Sequence, residues 1–213
     1  MPFRVDLHVH TRHSGDNEAD PVETVEVAIR LGLDGLAFTE HYSYEASEYA
    51  DELRRRYINK IAIIRGVELS AMEGHLLVFG LNTDRLGLSR APAAHVVKAV
   101  AREGGVVIPS HPFRGGSGIG ELLEGLGGIC ALEGYNGCNI HPMNIRAVEA
   151  ASRLGLPYTG GSDAHAPREV GSCHTLFNVP VTQDNIVEAL RAGHYSGHDT
   201  RKISLGFQGF FNS

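Results

Sequence analysis

Two histidines placed two residues apart are the first residues of this chain with an evident capacity for chemistry. His8 and His10 end the run Val5-Asp6-Leu7-His8-Val9-His10. Its apolar alternation predicts a β-strand, on which side chains at i and i+2 lie on the same side. Two imidazoles on one side can reach a single metal ion at about 2.0–2.1 Å. The pair alone is a weak signal, because two histidines can also share a solvated strand face.

The same arrangement recurs beside other predicted strands. Histidines or carboxylates at strand boundaries are His41, Glu68, His75, His111, Asp163 and His165, and Asp16 lies in the loop after the first strand. Some have an ordinary structural explanation: Glu40-His41 could be a solvated turn, and His75 could mark a turn into a strand. Glu68 is harder to explain as an ordinary structural residue, because burying a carboxylate within an apolar strand costs free energy unless the group is paired or coordinated. Nine such positions together predict a metal site.

Short predicted strands alternate with predicted helices and would position these residues. The strands cover 3–7, 34–39, 60–69, 75–81, 106–110, 129–133 and 157–160, with a further one at 176–179, and the helices cover 21–31, 43–56, 92–103, 142–154 and 184–192. This alternation is typical of βα units and a parallel sheet. Because the polar residues follow at least five strands, a barrel fits better than an open sheet, which gathers ligands at one switch point.

Composition narrows the class of protein. A length of 213 residues with 42% hydrophobic and 21% charged residues suits one α/β domain. The formal net charge of −6 argues against a protein that binds a nucleic-acid backbone, although bound cations would reverse the sign locally. The sequence shows no signal-peptide pattern and no apolar run of the ~20 residues that cross a bilayer. Three cysteines without a C-x-x-C pair favour a cytoplasmic protein.

The ordered motifs resemble those of a known family. They are Asp6–Thr11 (DLHVHT), Thr39–His41 (TEH), Gly66–Glu68 (GVE), Ser110–Pro112 (SHP) and Gly161–His165 (GSDAH). Together they are similar to the PHP (polymerase and histidinol phosphatase) family over about residues 5 to 170. An amidohydrolase barrel also begins with His-x-His, but Glu68 on the third strand and Asp163-x-His165 do not match its layout. The resemblance implies one PHP-type domain over residues 1–213, a distorted, TIM-barrel-like, seven-stranded (βα) barrel used for phosphoester hydrolysis.

The resemblance also implies three divalent metal ions and their ligands. The first ion would be held by His8, His10, Glu68 and Asp163, the second by bridging Glu68 with His75 and His111, and the third by Asp16, His41 and His165. His13 is an alternative to Asp16 at the third position. Nitrogen and oxygen ligands without thiolate favour Zn, Mn or Fe over Mg. Arg12, Arg114 and Arg168 lie close to the ligand loops and are candidates to bind a substrate phosphate.

A centre of three divalent metal ions with these ligands would be expected to hydrolyse phosphate esters. Three divalent ions, three carboxylates and neutral imidazoles leave about three positive charges, which attract a phosphate dianion. The ions would also lower the pKa of a water held beside His8, His10, Glu68 and Asp163 towards about 7. We therefore expect a phosphatase for a small phosphomonoester such as a sugar, nucleotide or histidinol phosphate. Two alternatives stay open: a 3′–5′ exonuclease or nucleotide phosphatase, which lacks support from any aromatic stacking tract, and a non-catalytic metal-binding regulatory module.

Overall fold

The structure, a computed structural model, describes residues 1–201. Its strands are β1 (Phe3–Val9), β2 (Gly35–Phe38), β3 (Ala62–Ser70), β4 (His75–Phe79), β5 (Val106–Pro109), β6 (Leu132–Asn136), β7 (Tyr158–Gly161), β8 (Cys173–Phe177) and β9 (Tyr195–Asp199). Its α-helices are α1 (Pro21–Arg30), α2 (Ala50–Arg56), α3 (Ala93–Arg102), α4 (His141–Leu154) and α5 (Ile186–Ala192). The strands and helices expected from the sequence are therefore confirmed to within a few residues, except that the helix expected over 43–56 begins only at Ala50, and β9 is an addition.

Seven of these strands form one curled sheet in the order β5-β4-β3-β2-β1-β8-β9, and β6 pairs with β7 separately. The pair β6–β7 joins the two sides of the curled sheet. Cys130, just before β6, donates its N–H to Val107 O of β5 at 3.1 Å, and Asp163, just after β7, donates its N–H to His8 O of β1 at 2.7 Å. Strands β1 to β7 thus surround one interior in chain order, which confirms the distorted seven-stranded barrel.

The sheet is not parallel throughout, and in this respect the sequence-based prediction is wrong. Strand β4 is antiparallel to both β3 and β5, and β8 is antiparallel to β1. A tight turn joins β3 to β4, with Ala71 N–H bonded to Gly74 O at 2.9 Å. Such a turn leaves no room for the crossover that parallel pairing requires. Strand β4 therefore begins at the mouth of the barrel where its neighbours end, and its first residue, His75, lies at that mouth.

Local sequence explains where the helices begin. Asp20 accepts the backbone N–H groups of Val22 at 2.9 Å and Glu23 at 3.1 Å, and Pro21 occupies the first turn of α1. An aspartate cap followed by proline is a strong helix start. The segment predicted as a helix at 43–56 forms a short 3-10 turn, Glu45–Ser47, followed by α2. These helices cover the outside of the barrel.

Apolar side chains fill the interior below the mouth. They come from β1 to β5 and from α5, and include Leu7, Ala37, Ile64, Leu77, Ile108, Ile186 and Leu190. Val9 packs instead in an outer cluster, and the register of β1 with β2 shifts between Asp6 and Val9. Such an irregularity re-aims side chains next to functional sites. It allows the apolar floor at Leu7 to be followed directly by His8. Among residues 1–201, no helix is both long and apolar enough to cross a membrane.

Candidate metal centre

The nine side chains predicted as ligands lie together at one mouth of the barrel. Three groups have ligand atoms within 4.8 Å of one another: His8, His10 and Glu68; Glu68, His75 and His111; and His10, His41 and His165. The two remaining predicted ligands complete the cluster. Asp163 Oδ1 lies 3.3 Å from His8 Nε2 and 3.3 Å from His10 Nε2. Asp16 Oδ2 lies 3.1 Å from His41 Nε2 and 3.2 Å from His165 Nε2.

His8 is oriented by a buried carboxylate behind it. Its Nδ1 lies 2.8 Å from Glu133 Oε1 and acts as the donor, since the carboxylate offers only acceptors. The lone pair of Nε2 therefore faces the cluster, 3.5 Å from Glu68 Oε1 and 3.3 Å from Asp163 Oδ1. A carboxylate behind a histidine is the usual arrangement that fixes the tautomer of a metal ligand.

His10 has a similar arrangement with a hydroxyl between. Its Nδ1 lies 3.0 Å from Ser14 Oγ, which in turn donates to Glu40 Oε2 at 2.5 Å. Glu40 is fully buried and also accepts the N–H and hydroxyl of Thr11 at 3.0 and 2.7 Å, and the hydroxyl of Tyr49. Nε2 of His10 faces the cluster, 2.9 Å from His8 Nε2.

Glu68 is the middle of the centre and is 1% exposed. Its Oε1 lies 2.9 Å from His111 Nε2 and 3.3 Å from His75 Nδ1. Its Oε2 lies 3.1 Å from His41 Nδ1 and 3.4 Å from His10 Nε2. Burial alone would raise the pKa of Glu68, but the surrounding imidazoles hold that pKa well below 4.5. Glu68 is therefore an ionised carboxylate, and each of its two oxygens faces imidazoles.

The buried carboxylates of the cluster favour positive charge beside them, either as protons on the histidines or as metal ions. Burial alone would lower the pKa of His8, but the facing carboxylates, with Asp163 first, raise that pKa well above 6.5. Burial likewise opposes protonation of His10, and its close contacts with Asp163 and Glu68 raise its pKa to about 9. Protons and metal ions compete for the same nitrogen lone pairs.

Unpaired polar atoms provide a test of whether these residues fit a metal. Among residues 1–201, five buried side-chain N or O atoms have no hydrogen-bond partner, and four belong to this cluster: His41 Nδ1, Glu68 Oε2, His75 Nδ1 and His111 Nδ1. Buried polar atoms are almost always hydrogen-bonded. At least three of these atoms, those of Glu68, His41 and His75, also lie within 3.5 Å of a facing ligand atom. Their number and placement fit a group of metal ions.

Backbone strain is concentrated at the same place. Five non-glycine residues among residues 1–201 have positive φ, and three of these lie at the mouth: Tyr42 at 66°, His111 at 30° and Asp163 at 55°. Such conformations persist only where surrounding contacts over-determine them, and they occur preferentially at functional sites. The strain places the side chains of His111 and Asp163 at the cluster.

The candidate phosphate-binding arginines differ in their surroundings. Arg114 donates to Asp163 Oδ2 at 2.8 Å, Asn136 Oδ1 at 2.7 Å and Asn139 Oδ1 at 2.9 Å. Arg12 pairs with Asp20 at 2.6 Å, and Arg168 is 82% exposed beside Glu169. His13 stacks on the ring of Tyr49, with centroids 4.2 Å apart, and Asp16 is the residue beside His41 and His165.

Several supporting residues escaped sequence-based reasoning. The sequence pattern presents Glu133 only as the end of a strand and Glu40 only as part of a turn, and it assigns no role to Ser14 or Asn136. Glu133 follows Ala131 and Leu132 in a buried strand. The argument that singled out Glu68, a carboxylate within an apolar strand, applies to it equally.

Fold and site together define a class: a distorted α/β barrel with a cluster of histidines and carboxylates, suited to several metal ions, at its mouth. Comparison with models of protein families shows which family this class of protein resembles. The model of the PHP domain matches residues 6–105, and the model described as PHP-associated matches residues 141–195. Two models of the PHP family thus match successive parts of the chain. No curated protein matches the sequence at a significant level.

Solved structures share this fold at low sequence identity. PsfC from Pseudomonas syringae is 23% identical with a TM-score of 0.72, covering 92% of this chain and 91% of its own. A two-domain Bacteroides vulgatus protein, described as containing a predicted PHP-like metal-dependent phosphoesterase, is 20% identical with a TM-score of 0.69, over 93% of this chain and 65% of its own. A lesion-specific endonuclease from Pyrococcus furiosus is 18% identical with a TM-score of 0.68, over 92% and 58%. At these identities the likeness establishes the fold.

Proposed function

We propose that this protein is a metal-dependent phosphoesterase that hydrolyses a small phosphomonoester. The observation that carries the proposal is the convergence on buried Glu68 of imidazoles from four separate parts of the barrel, at His10, His41, His75 and His111. The match to the model of the PHP domain supports the same activity. A sugar, nucleotide or histidinol phosphate would have the chemistry of the expected substrate.

We assign three divalent ions, zinc, manganese or iron, to the cluster. The first would be held by His8, His10, Glu68 and Asp163, the second by Glu68, His75 and His111, and the third by Asp16, His41 and His165. Bound ions of this kind lower the pKa of a water and neutralise charge that develops on a phosphoryl group. The mixed nitrogen and oxygen donors suit these metals.

The residues of the chain itself prepare this chemistry. The contacts behind His8 and His10 keep both Nε2 lone pairs aimed at the cluster. Arg114 and Asn136 hold Oδ2 of Asp163, so that Oδ1 faces the histidines. A site prepared in this way requires little reorganisation during the reaction, which is a main source of catalytic stabilisation.

Exposure indicates the side from which substrate enters. His8, His10, Glu68 and Asp163 are at most 2% exposed, whereas His41, His165 and Asp16 are 13%, 34% and 41% exposed. A phosphoryl group arriving from solvent would meet Asp16, His41 and His165 first. The water that attacks it would be held on the buried side.

A small substrate agrees better with the charges than a polynucleotide does. The net charge is −6, and each of the three arginines considered as phosphate ligands lies beside a carboxylate. A protein that tracks a nucleic-acid backbone usually presents a basic stripe. Because one protein of this fold is an endonuclease, the substrate screen should include oligonucleotides.

The test combines elemental analysis with a substrate screen. We expect the purified protein to contain divalent metal and to release inorganic phosphate from at least one phosphomonoester, and we expect His8→Ala and Asp163→Ala to abolish release. Glu121→Gln, which alters an exposed pair with Arg146, serves as the control. Absence of turnover with every metal would refute the proposal, and full metal content without turnover would favour the regulatory module. Degradation of labelled single-stranded DNA or RNA would favour the exonuclease.

A further inference from the structure

Glu133 lies behind the metal centre on β6 and belongs to none of the three ligand groups. Its side chain is 1% exposed. Oε1 accepts the Nδ1–H of His8 at 2.8 Å, while Oε2 accepts the backbone N–H of His111 at 2.7 Å and an amide N–H of Asn136 at 2.9 Å. Three donors from three segments of the chain therefore meet on one buried carboxylate.

The two histidines held by Glu133 belong to different ligand groups. His8 is grouped with His10 and Glu68, whereas His111 is grouped with Glu68 and His75. In front, Glu68 Oε1 lies 3.5 Å from His8 Nε2 and 2.9 Å from His111 Nε2. Glu68 thus contacts both histidines at their ligand nitrogens, and Glu133 contacts both on the side away from the ligand atoms.

Each contact of Glu133 controls a different property. The bond to His8 fixes the tautomer, because a proton on Nδ1 leaves the Nε2 lone pair for a metal. The bond to His111 holds the main chain of a residue whose φ is 30°, a sparsely populated conformation. The imidazole of His111 points at Glu68 only while that main chain is held.

The neighbouring strand leaves Glu133 little freedom to move. A Cβ added at Gly161 would lie 2.4 Å from His8 Cβ and 3.0 Å from Glu133 Oε1. The main chain of β7 therefore packs directly against the pair of His8 and Glu133, and only glycine allows this approach. This contact keeps the carboxylate in one place and keeps water away from it.

We propose that Glu133 is a positioning residue that couples the two metal positions sharing Glu68. The inference rests on the proposed function, because it requires the cluster to bind metal. Removing the acceptor atoms of Glu133 weakens binding at both positions, by about 10–100-fold, the range found when a carboxylate behind a metal ligand is changed. The third position, at His41, His165 and Asp16, has no contact with Glu133 among residues 1–201 and changes little.

Two substitutions separate this role from a merely structural one. Glu133→Gln keeps the shape but has one acceptor oxygen and adds an N–H₂ group. Either His8 Nδ1–H or His111 N–H would then face a donor. Glu133→Asp is shorter but keeps both acceptor oxygens and the charge. Positioning by acceptor atoms predicts that the Asp variant binds metal better than the Gln variant, whereas simple filling of space predicts the reverse order.

The experiment is a zinc titration in competition with a chromophoric chelator, for the wild type, Glu133→Gln, Glu133→Asp and the exposed control Glu121→Gln. We expect two zinc equivalents to weaken by about 10–100-fold in Glu133→Gln, less in Glu133→Asp and not at all in the control. Weakening of one equivalent alone would overturn the coupling. Unchanged affinity, or a weaker Asp than Gln variant, would overturn the positioning role.

Nuclear magnetic resonance of ¹⁵N-histidine in the zinc-loaded wild type gives a readout that needs no variant. We expect His8 to carry its proton on Nδ1, with slow exchange against solvent, and a proton on Nε2 would overturn the inference even if both variants failed to fold. The two proposals can be told apart. Zinc binding with the expected variant order but without phosphate release refutes the proposed function only, whereas a wild type that binds no zinc refutes both.

Discussion

The buried and the exposed halves of the metal centre are built differently. The buried half consists of His8, His10, Glu68 and Asp163, with carboxylates or a hydroxyl behind each histidine. The exposed half consists of Asp16, His41 and His165, and its support from behind includes one main-chain contact, from His165 Nδ1 to Asp163 O at 2.8 Å. The comparison teaches that folding itself sets the geometry of the buried half, whereas fewer contacts from the rest of the fold set the geometry of the exposed half.

The largest effect should come from removing the central charge of the buried half. Glu68→Gln should abolish phosphate release and lower the free energy of unfolding of the chelator-treated protein by about 3–5 kcal/mol, because it leaves buried charged histidines without their partner. Urea unfolding at pH 6 measures this change. An unfolding free energy equal to that of the wild type would show that the buried half is not built into the fold.

The pH dependence of stability should distinguish the two halves next. The pKa of His10 is raised to about 9 in the folded protein, against about 6.5 when unfolded. A group with a raised pKa stabilises the fold fully below pH 6.5, and this stabilisation is lost as the pH rises through 9. Without metal, the free energy of unfolding should therefore fall by up to about 3 kcal/mol between pH 6.5 and 9.

Bound zinc should remove most of this pH dependence, since metal replaces the protons on the nitrogen lone pairs. Urea unfolding of chelator-treated and zinc-loaded protein across this pH range makes the comparison. Parallel curves for the two forms would mean that protons and metal do not compete in the buried half.

A substitution in the exposed half should affect activity without affecting stability. Asp16→Asn should lower kcat/KM by at least about 10-fold, because changing even a group behind a metal ligand costs about 10–100-fold. The free energy of unfolding should stay within about 0.5 kcal/mol, because Asp16 is 41% exposed. His13→Ala is the matched control, because His13 stacks on Tyr49 and belongs to none of the three ligand groups. If His13→Ala has the larger effect on activity, the assignment of Asp16 is wrong.

The smallest effect is expected at the rim. Arg168→Gln should leave stability within about 0.5 kcal/mol, since the side chain is 82% exposed. If Arg168 binds the substrate phosphate, as proposed from its place near the ligand loop, KM rises several-fold at unchanged kcat, the pattern of lost uniform binding. Steady-state kinetics with the best phosphomonoester measures both constants. Unchanged KM would remove Arg168 from the site.

Much of the site could be predicted because its residues follow a local rule. His8 and His10 share a strand face by period-two alternation, and Glu68 stands out as a charge in an apolar strand. The antiparallel direction of β4 could not be predicted in this way. That direction depends on the tight turn between Ala71 and Gly74. In an all-parallel sheet His75, the first residue of its strand, would lie at the opposite end of the barrel.

The sequence by itself determined most of the strands and helices, because strand alternation and helix caps depend on neighbours a few positions away. Tertiary structure alone decided the direction of β4, the shift of register within β1 and the position of Glu133 behind His8. Glu133 is 125 positions from His8 along the chain. Such a contact depends on how the whole barrel packs, and no local pattern of residue types encodes it.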